Sequence, residues 1–263
     1  MGGKRHKGRP AKGPIEHEVK ARPGPFELGP LHKVDPHLLL RNPGDFVGET
    51  MLMLALAFND LRDAAAVLIQ ALKAGGRHAK GTPAYAAAAG LQWYAVRQMT
   101  AISHETLELV KQRKKAFGSP EFRGFATTLP PEVRERWDEI QRAANIQDHN
   151  DQDGTPRDFR SWLRAVRNEA VWHYGKTSRV ADGYREFFLQ NESPTPESAH
   201  AMFAFDGDTQ KSRFCYADAA VMYVLTQSRL KSSDAEQFIG TFNHTLKHIV
   251  CAFIEYRQQE SGL

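Results

Sequence analysis

Met51, Leu54, Phe58, Leu61, Ala65, Leu68 and Leu72 follow one another at alternating spacings of three and four. That rhythm gathers them on one face of a helix and fits no strand, whose inward side chains recur at every second residue. Gly75-Gly76 stops the run. A helix with one apolar stripe must bury it against other elements, and the rest of the chain supplies helices only. Pro83 opens an Ala-rich segment in which Trp93, Val96, Leu107 and Val110 mark one stripe and Met99, Ile102 and Leu109 its neighbour. That broad apolar surface predicts a long buried helix ending near Phe117-Gly118. A shorter helix is expected from Pro130-Pro131 to about Asn145.

Thr155 is a good helix N-cap, with Pro156 at the first helical position and Asp158 placed to reach back. The helix it opens runs to Tyr174, and Gly175 suits the left-handed C-terminal cap. Asp182–Gln190 reads as one more short helix and Asn191–Asp208 as an irregular connection. Phe214, Ala217, Val221 and Val224 begin another helix. Ser233-Asp234-Ala235-Glu236 caps the last, whose inner face is Phe238, Phe242, Leu246, Ile249 and Phe253. No strand-like alternation of useful length occurs. The expected fold is all-α, a bundle of four or more long helices forming a single domain over residues 41–263.

Residues 1–40 differ in kind, being rich in Gly, Pro and Lys/Arg and poor in apolar side chains, and are expected to be disordered. Residues 1–22 carry Lys4, Arg5, Lys7, Arg9, Lys12, Lys20 and Arg22 against Glu16 and Glu18, a net +5. The whole chain is +4, so the remainder is close to neutral at −1. Lys4–Lys12 (KRHKGRPAK) resembles an AT-hook, an arm whose Gly-Arg-Pro core lies in the DNA minor groove, and Arg9 in an extended segment suits such a groove. It also fits a solvated tail that attracts phosphate without specificity. The longest apolar run, Met51–Phe58, is far shorter than the roughly 20 residues a membrane span needs, so no membrane role is expected. The basic start lacks the apolar core of a signal peptide, and two cysteines, Cys215 and Cys251, form no disulfide framework. Both observations predict a cytoplasmic protein.

Chemistry concentrates in Ala165–Gly175, AVRNEAVWHYG. On the helix opened by Thr155, the residues Phe159, Leu163, Val166, Ala170 and His173 form one stripe. Arg160, Arg164, Arg167, Val171 and Tyr174 form the adjacent one. His173 therefore finishes an apolar seam while a ladder of arginines runs beside it. Residues six apart on a helix are separated by about 120° and about 9 Å, so Arg167 and His173 converge on one phosphate most readily if a second copy of the helix supplies the other half. Such residues suit RNA cleavage without a metal. Histidine near its ordinary pKa can take a proton from a ribose 2′-hydroxyl or give one to the leaving oxygen. Arginine offers a planar fork to the phosphate oxygens as charge builds, and Asn168 can orient it or donate a further hydrogen bond.

Arg167-Asn168-Glu169-Ala170-Val171-Trp172-His173 resembles the signature of the HEPN superfamily, all-α domains marked by Arg, a polar residue, a few more residues and then His. The resemblance implies a metal-independent endoribonuclease acting as a toxin or in bacterial defence against phage, with its site where two motif helices meet in a homodimer. It implies that Arg167 stabilises the phosphate, His173 is the acid–base group and Asn168 supports them. Arg164, Arg160, Tyr174 and the tail cations Lys4, Arg5, Lys7, Arg9 and Lys12 are the expected RNA contacts, and an antitoxin or other defence protein is an expected partner. No metal or other cofactor is expected. The family's modified tyrosine lies two residues after the histidine; here Tyr174 follows it directly, and that regulation is not carried over. The other reading of the same residues is a non-catalytic helical module that binds nucleic acid or protein.

Two rival constellations are weaker. His244, His248 and Cys251 share one face of the last helix, but three ligands from one helix rarely surround a zinc ion and no fourth partner is evident. That stripe reads as an exposed or partner-facing surface. The loop Gln147–Gly154 mimics a calcium-binding loop, yet it starts on His149 and has Arg160 where the bidentate Glu belongs.

Overall fold

In a computed structural model, residues 25–26, 33–145, 160, 163–164, 179–190, 192, 203, 213–226 and 232–261 are described. Every regular element among them is helical, and no strand occurs among them. A single helical turn, α1 (Pro36–Leu39), leads into two 30-residue helices, α2 (Phe46–Gly75) and α3 (Pro83–Gln112). Each opens on a residue whose side chain caps it. Asp45 accepts from the Gly48 N–H at 2.8 Å, and Thr82 accepts from the Tyr85 N–H with Pro83 behind it. The two run antiparallel. Gln92 donates to the Ala71 carbonyl at one end, while Arg113 pairs with Glu49 at 3.3 Å at the other.

Short helices α4 (Lys114–Phe117) and α5 (Pro120–Thr128) lead to α6 (Pro131–Asn145). The last helix, α9 (Ser232–Glu260), packs on α2 and α6, and α6 packs on α3. These four close a bundle around Met51, Leu54, Leu61, Leu107, Val110, Trp137, Ile140, Phe242, Leu246, Ile249 and Phe253. The expected all-α bundle of four or more long helices is the fold. Between α6 and α9, α7 (Arg179–Tyr184) runs on into a π turn at Arg185–Leu189 and pairs with α8 (Cys215–Thr226), which lies against α3.

Three local readings change. The α2 stripe holds at Met51, Leu54 and Leu61, but Leu72 is exposed and Ala64, Ala66 and Ala71 are buried instead. A strict seven-residue repeat drifts about 20° per heptad on a straight helix, so three heptads swing it about 60° off the core. The helix expected to reach Phe117-Gly118 turns at Arg113 (φ −87°, ψ 18°), which lets Phe117 drop into the core beside Trp137 and Phe122, with ring centres 5.1 and 5.0 Å away. Third, ordered structure starts inside the segment assigned to the tail. Asp35 caps α1, Leu38 is buried, and Arg62 donates to the Pro25 carbonyl at 3.4 Å. The folded body therefore includes residues before 41.

One buried cation ties the two chain ends of the bundle together. Arg257, fully buried on α9, donates to both Asp45 carboxylate oxygens (2.8 and 3.0 Å) and to the Leu38 carbonyl (3.2 Å). It also pairs with Glu121 and stacks 4.7 Å from the Phe253 ring centre. Beside it Arg41 bonds Glu260 at 2.8 Å, and Tyr256 donates to the same carboxylate at 2.6 Å.

Candidate functional site

Arg160, Leu163 and Arg164 are helical. Leu163 is wholly buried in the core cluster. Arg160 is buried as well, and its guanidinium donates to Glu108 on α3. Arg164 is exposed at the rim of a polar cleft of about 390 Å³, lined also by His104, Glu105, Glu108, Lys111 and Gln112. α3 positions this floor by simple periodicity: His104, Glu108 and Lys111 are spaced by four and three, so they share one helix face. The same helix is held close to its neighbours by small residues, with Ala95, Thr100, Ala101 and Ser103 all buried.

The electrostatics of the cleft follow from those neighbours. Burial opposes charge on Glu108, but the hydrogen bond and positive charge of Arg160 outweigh it, and the Glu108 carboxyl sits below its ordinary range. His104 is buried, with Nδ1 3.9 Å from Glu105. Chemically the cleft offers a carboxylate paired with Arg160 at its floor, an imidazole and a second carboxylate beside it, and the cations Lys111 and Arg164 at its edge.

Arg160, expected on sequence to contact RNA, thus has its charge engaged with Glu108 in the interior, whereas Arg164 lies at the surface. Arg167, Asn168, His173 and Tyr174 lie outside the described residues, as do Lys4, Arg5, Lys7, Arg9 and Lys12. Sequence reasoning alone passes over His104, Glu105, Glu108 and Lys111. Their spacing on an otherwise Ala-rich helix is the available signal, but Arg160, which gives them meaning, is 52 residues from Glu108. Among the described residues, no group of three or more side chains is arranged to hold a metal ion, and no helix is long and apolar enough to cross a membrane. The chain shows no significant match to known family models, to curated proteins or to solved structures.

Proposed function

We propose that the chain is a metal-independent endoribonuclease of the HEPN type, acting in bacterial defence or as a toxin, with Arg167, Asn168 and His173 as its active residues. The observation that carries this reading is the sorting of the motif helix's first turns. Leu163 enters the core while Arg160 and Arg164 line the polar cleft beside α3, so the first two arginines of the stripe the sequence reading continues to Arg167 lie together on one side of Leu163. In the proposed reaction His173 moves the proton of the 2′-hydroxyl or of the leaving oxygen, and Arg167 neutralises charge on the phosphate. A second copy of the chain brings the opposing motif helix, because one helix separates Arg167 from His173 by about 9 Å along its axis. The tail cations hold the RNA backbone without reading sequence.

The test incubates purified protein with RNA in EDTA, beside Arg167→Ala and His173→Ala variants. Chelator-resistant cleavage lost in both variants is the expected result. Cleavage that survives either substitution overturns the assignment. RNA binding without cleavage by the unaltered chain would instead identify a binding module.

A further inference from the structure

On α9, well away in sequence from the proposed active residues, His244 and His248 stand one helical turn apart with their Nε2 atoms 3.1 Å from each other. Their ring centres are 4.3 Å apart. The rings therefore converge toward their Nε2 tips. The backbone beneath them is fixed, since Thr245, Leu246 and Ile249 are buried between them and the core. Two imidazole nitrogens bound in adjacent positions to one metal, with bonds of about 2.0–2.1 Å, lie about 2.9–3.4 Å apart. The observed separation falls in that interval, and histidines at i and i+4 on one helix face are a recurring metal-binding pair.

One neighbour competes. Arg136 of α6 places Nη1 3.4 Å from His244 Nδ1. If Arg136 donates there, His244 carries its proton on Nε2 and donates it to His248, a two-link hydrogen-bonded chain. A metal at Nε2 demands the opposite tautomer, with the proton on Nδ1, where it faces the guanidinium. The two states exclude each other.

We propose that His244 and His248 form a two-imidazole site for a divalent first-row transition metal ion, with water filling the remaining positions and Arg136 as the competitor. Because only two side chains ligate, selectivity follows the general order of affinities, in which copper(II) ranks highest. Cys251, one turn beyond His248 and exposed, takes no part. The site is independent of the ribonuclease reading.

The experiment titrates copper(II) into the full, untagged chain by calorimetry and reads the bound ion by electron paramagnetic resonance. The chain has eleven histidines, so variants define the site. One saturable site with nitrogen coupling is expected, absent from His244→Ala and from His248→Ala, retained in Cys251→Ser and tighter in Arg136→Ala. Circular dichroism checks that each variant is folded. Identical titrations of the unaltered chain and His244→Ala overturn the site, and unchanged affinity in Arg136→Ala overturns the competition.

Discussion

A guanidinium with no access to water is tolerable only when its charge is met, and Arg257 meets it through Asp45 and Glu121, its two terminal nitrogens donating to these and to the Leu38 carbonyl while its Nε stays without a hydrogen bond. Asp45 is committed twice over, because it also caps α2 and accepts from the Arg41 N–H at 3.0 Å. Burial works against its charge, but Arg257 and the two backbone N–H groups more than offset that and hold its carboxyl at about 2 instead of 3.8. A lowered carboxyl adds stability that is full above its unfolded value and disappears as pH falls through the folded one. Asp45 should therefore contribute about 2 kcal/mol at neutral pH, lost between about pH 4 and pH 2; urea unfolding of Asp45→Asn beside the unaltered chain should show that difference narrowing across this window. Gly48, one turn on, tests the same corner sterically. A Cβ there would sit 2.4 Å from the Leu39 carbonyl oxygen, a backbone atom that cannot swing aside. Overpacking costs typically about 1–3 kcal/mol, against about 1 kcal/mol gained from helix propensity. Gly48→Ala should thus lose stability, by up to about 2 kcal/mol. At Gly240 on α9 nothing lies within 4 Å of the same added atom, and Gly240→Ala should gain about 1 kcal/mol by the same urea measurement.

The elements join by a second glycine of different character. A Cβ on Gly90 of α3 would fall within 2.1 Å of the guanidinium atoms of Arg213, which lies across that position and pairs with Asp218 of α8 at 2.9 Å. Here the obstacle is the end of a long side chain, so α3 itself should tolerate Gly90→Ala. What should suffer is the docking of α8: amide exchange over Cys215–Thr226 should accelerate while exchange in α2 and α9 stays unchanged, and equal protection in the variant would remove Arg213 from that role. The helices themselves are largely legible in sequence, because their signals are local. Gly75-Gly76 ends α2, Pro131–Asn145 is α6 as read, and Phe242, Leu246, Ile249 and Phe253 are the buried face of α9. What stays hidden is pairing across distance. Nothing near Arg257 in sequence marks it as buried, since its partner Asp45 is 212 positions away. For the candidate site, the split of Leu163 from Arg160 and Arg164 is readable as two stripes, but the acidic partner on α3 that draws Arg160 inward is not.

For the whole molecule, charge is distributed unevenly enough to make a quantitative test. The body is nearly neutral, so an RNA-binding chain of this composition must draw much of its long-range attraction from residues 1–22 with their seven cations. Each phosphate neutralised on a single strand contributes about 0.7 to the slope of log affinity against log salt. Full engagement of seven cations would therefore steepen that slope by at most about 5, and the two acidic residues of the segment reduce the figure. Deleting residues 1–22 should leave the helical content measured by circular dichroism unchanged, because the bundle is built from residues beyond them. It should weaken RNA binding most at low salt and least at high salt, so that the affinities of the two proteins converge as salt rises. Substituting Arg164 and Lys111 at the cleft should act differently, lowering the slope by about 0.7 for each phosphate they no longer neutralise while the tail still steers the encounter. An unchanged slope after deletion would mean that the tail takes no part in RNA binding.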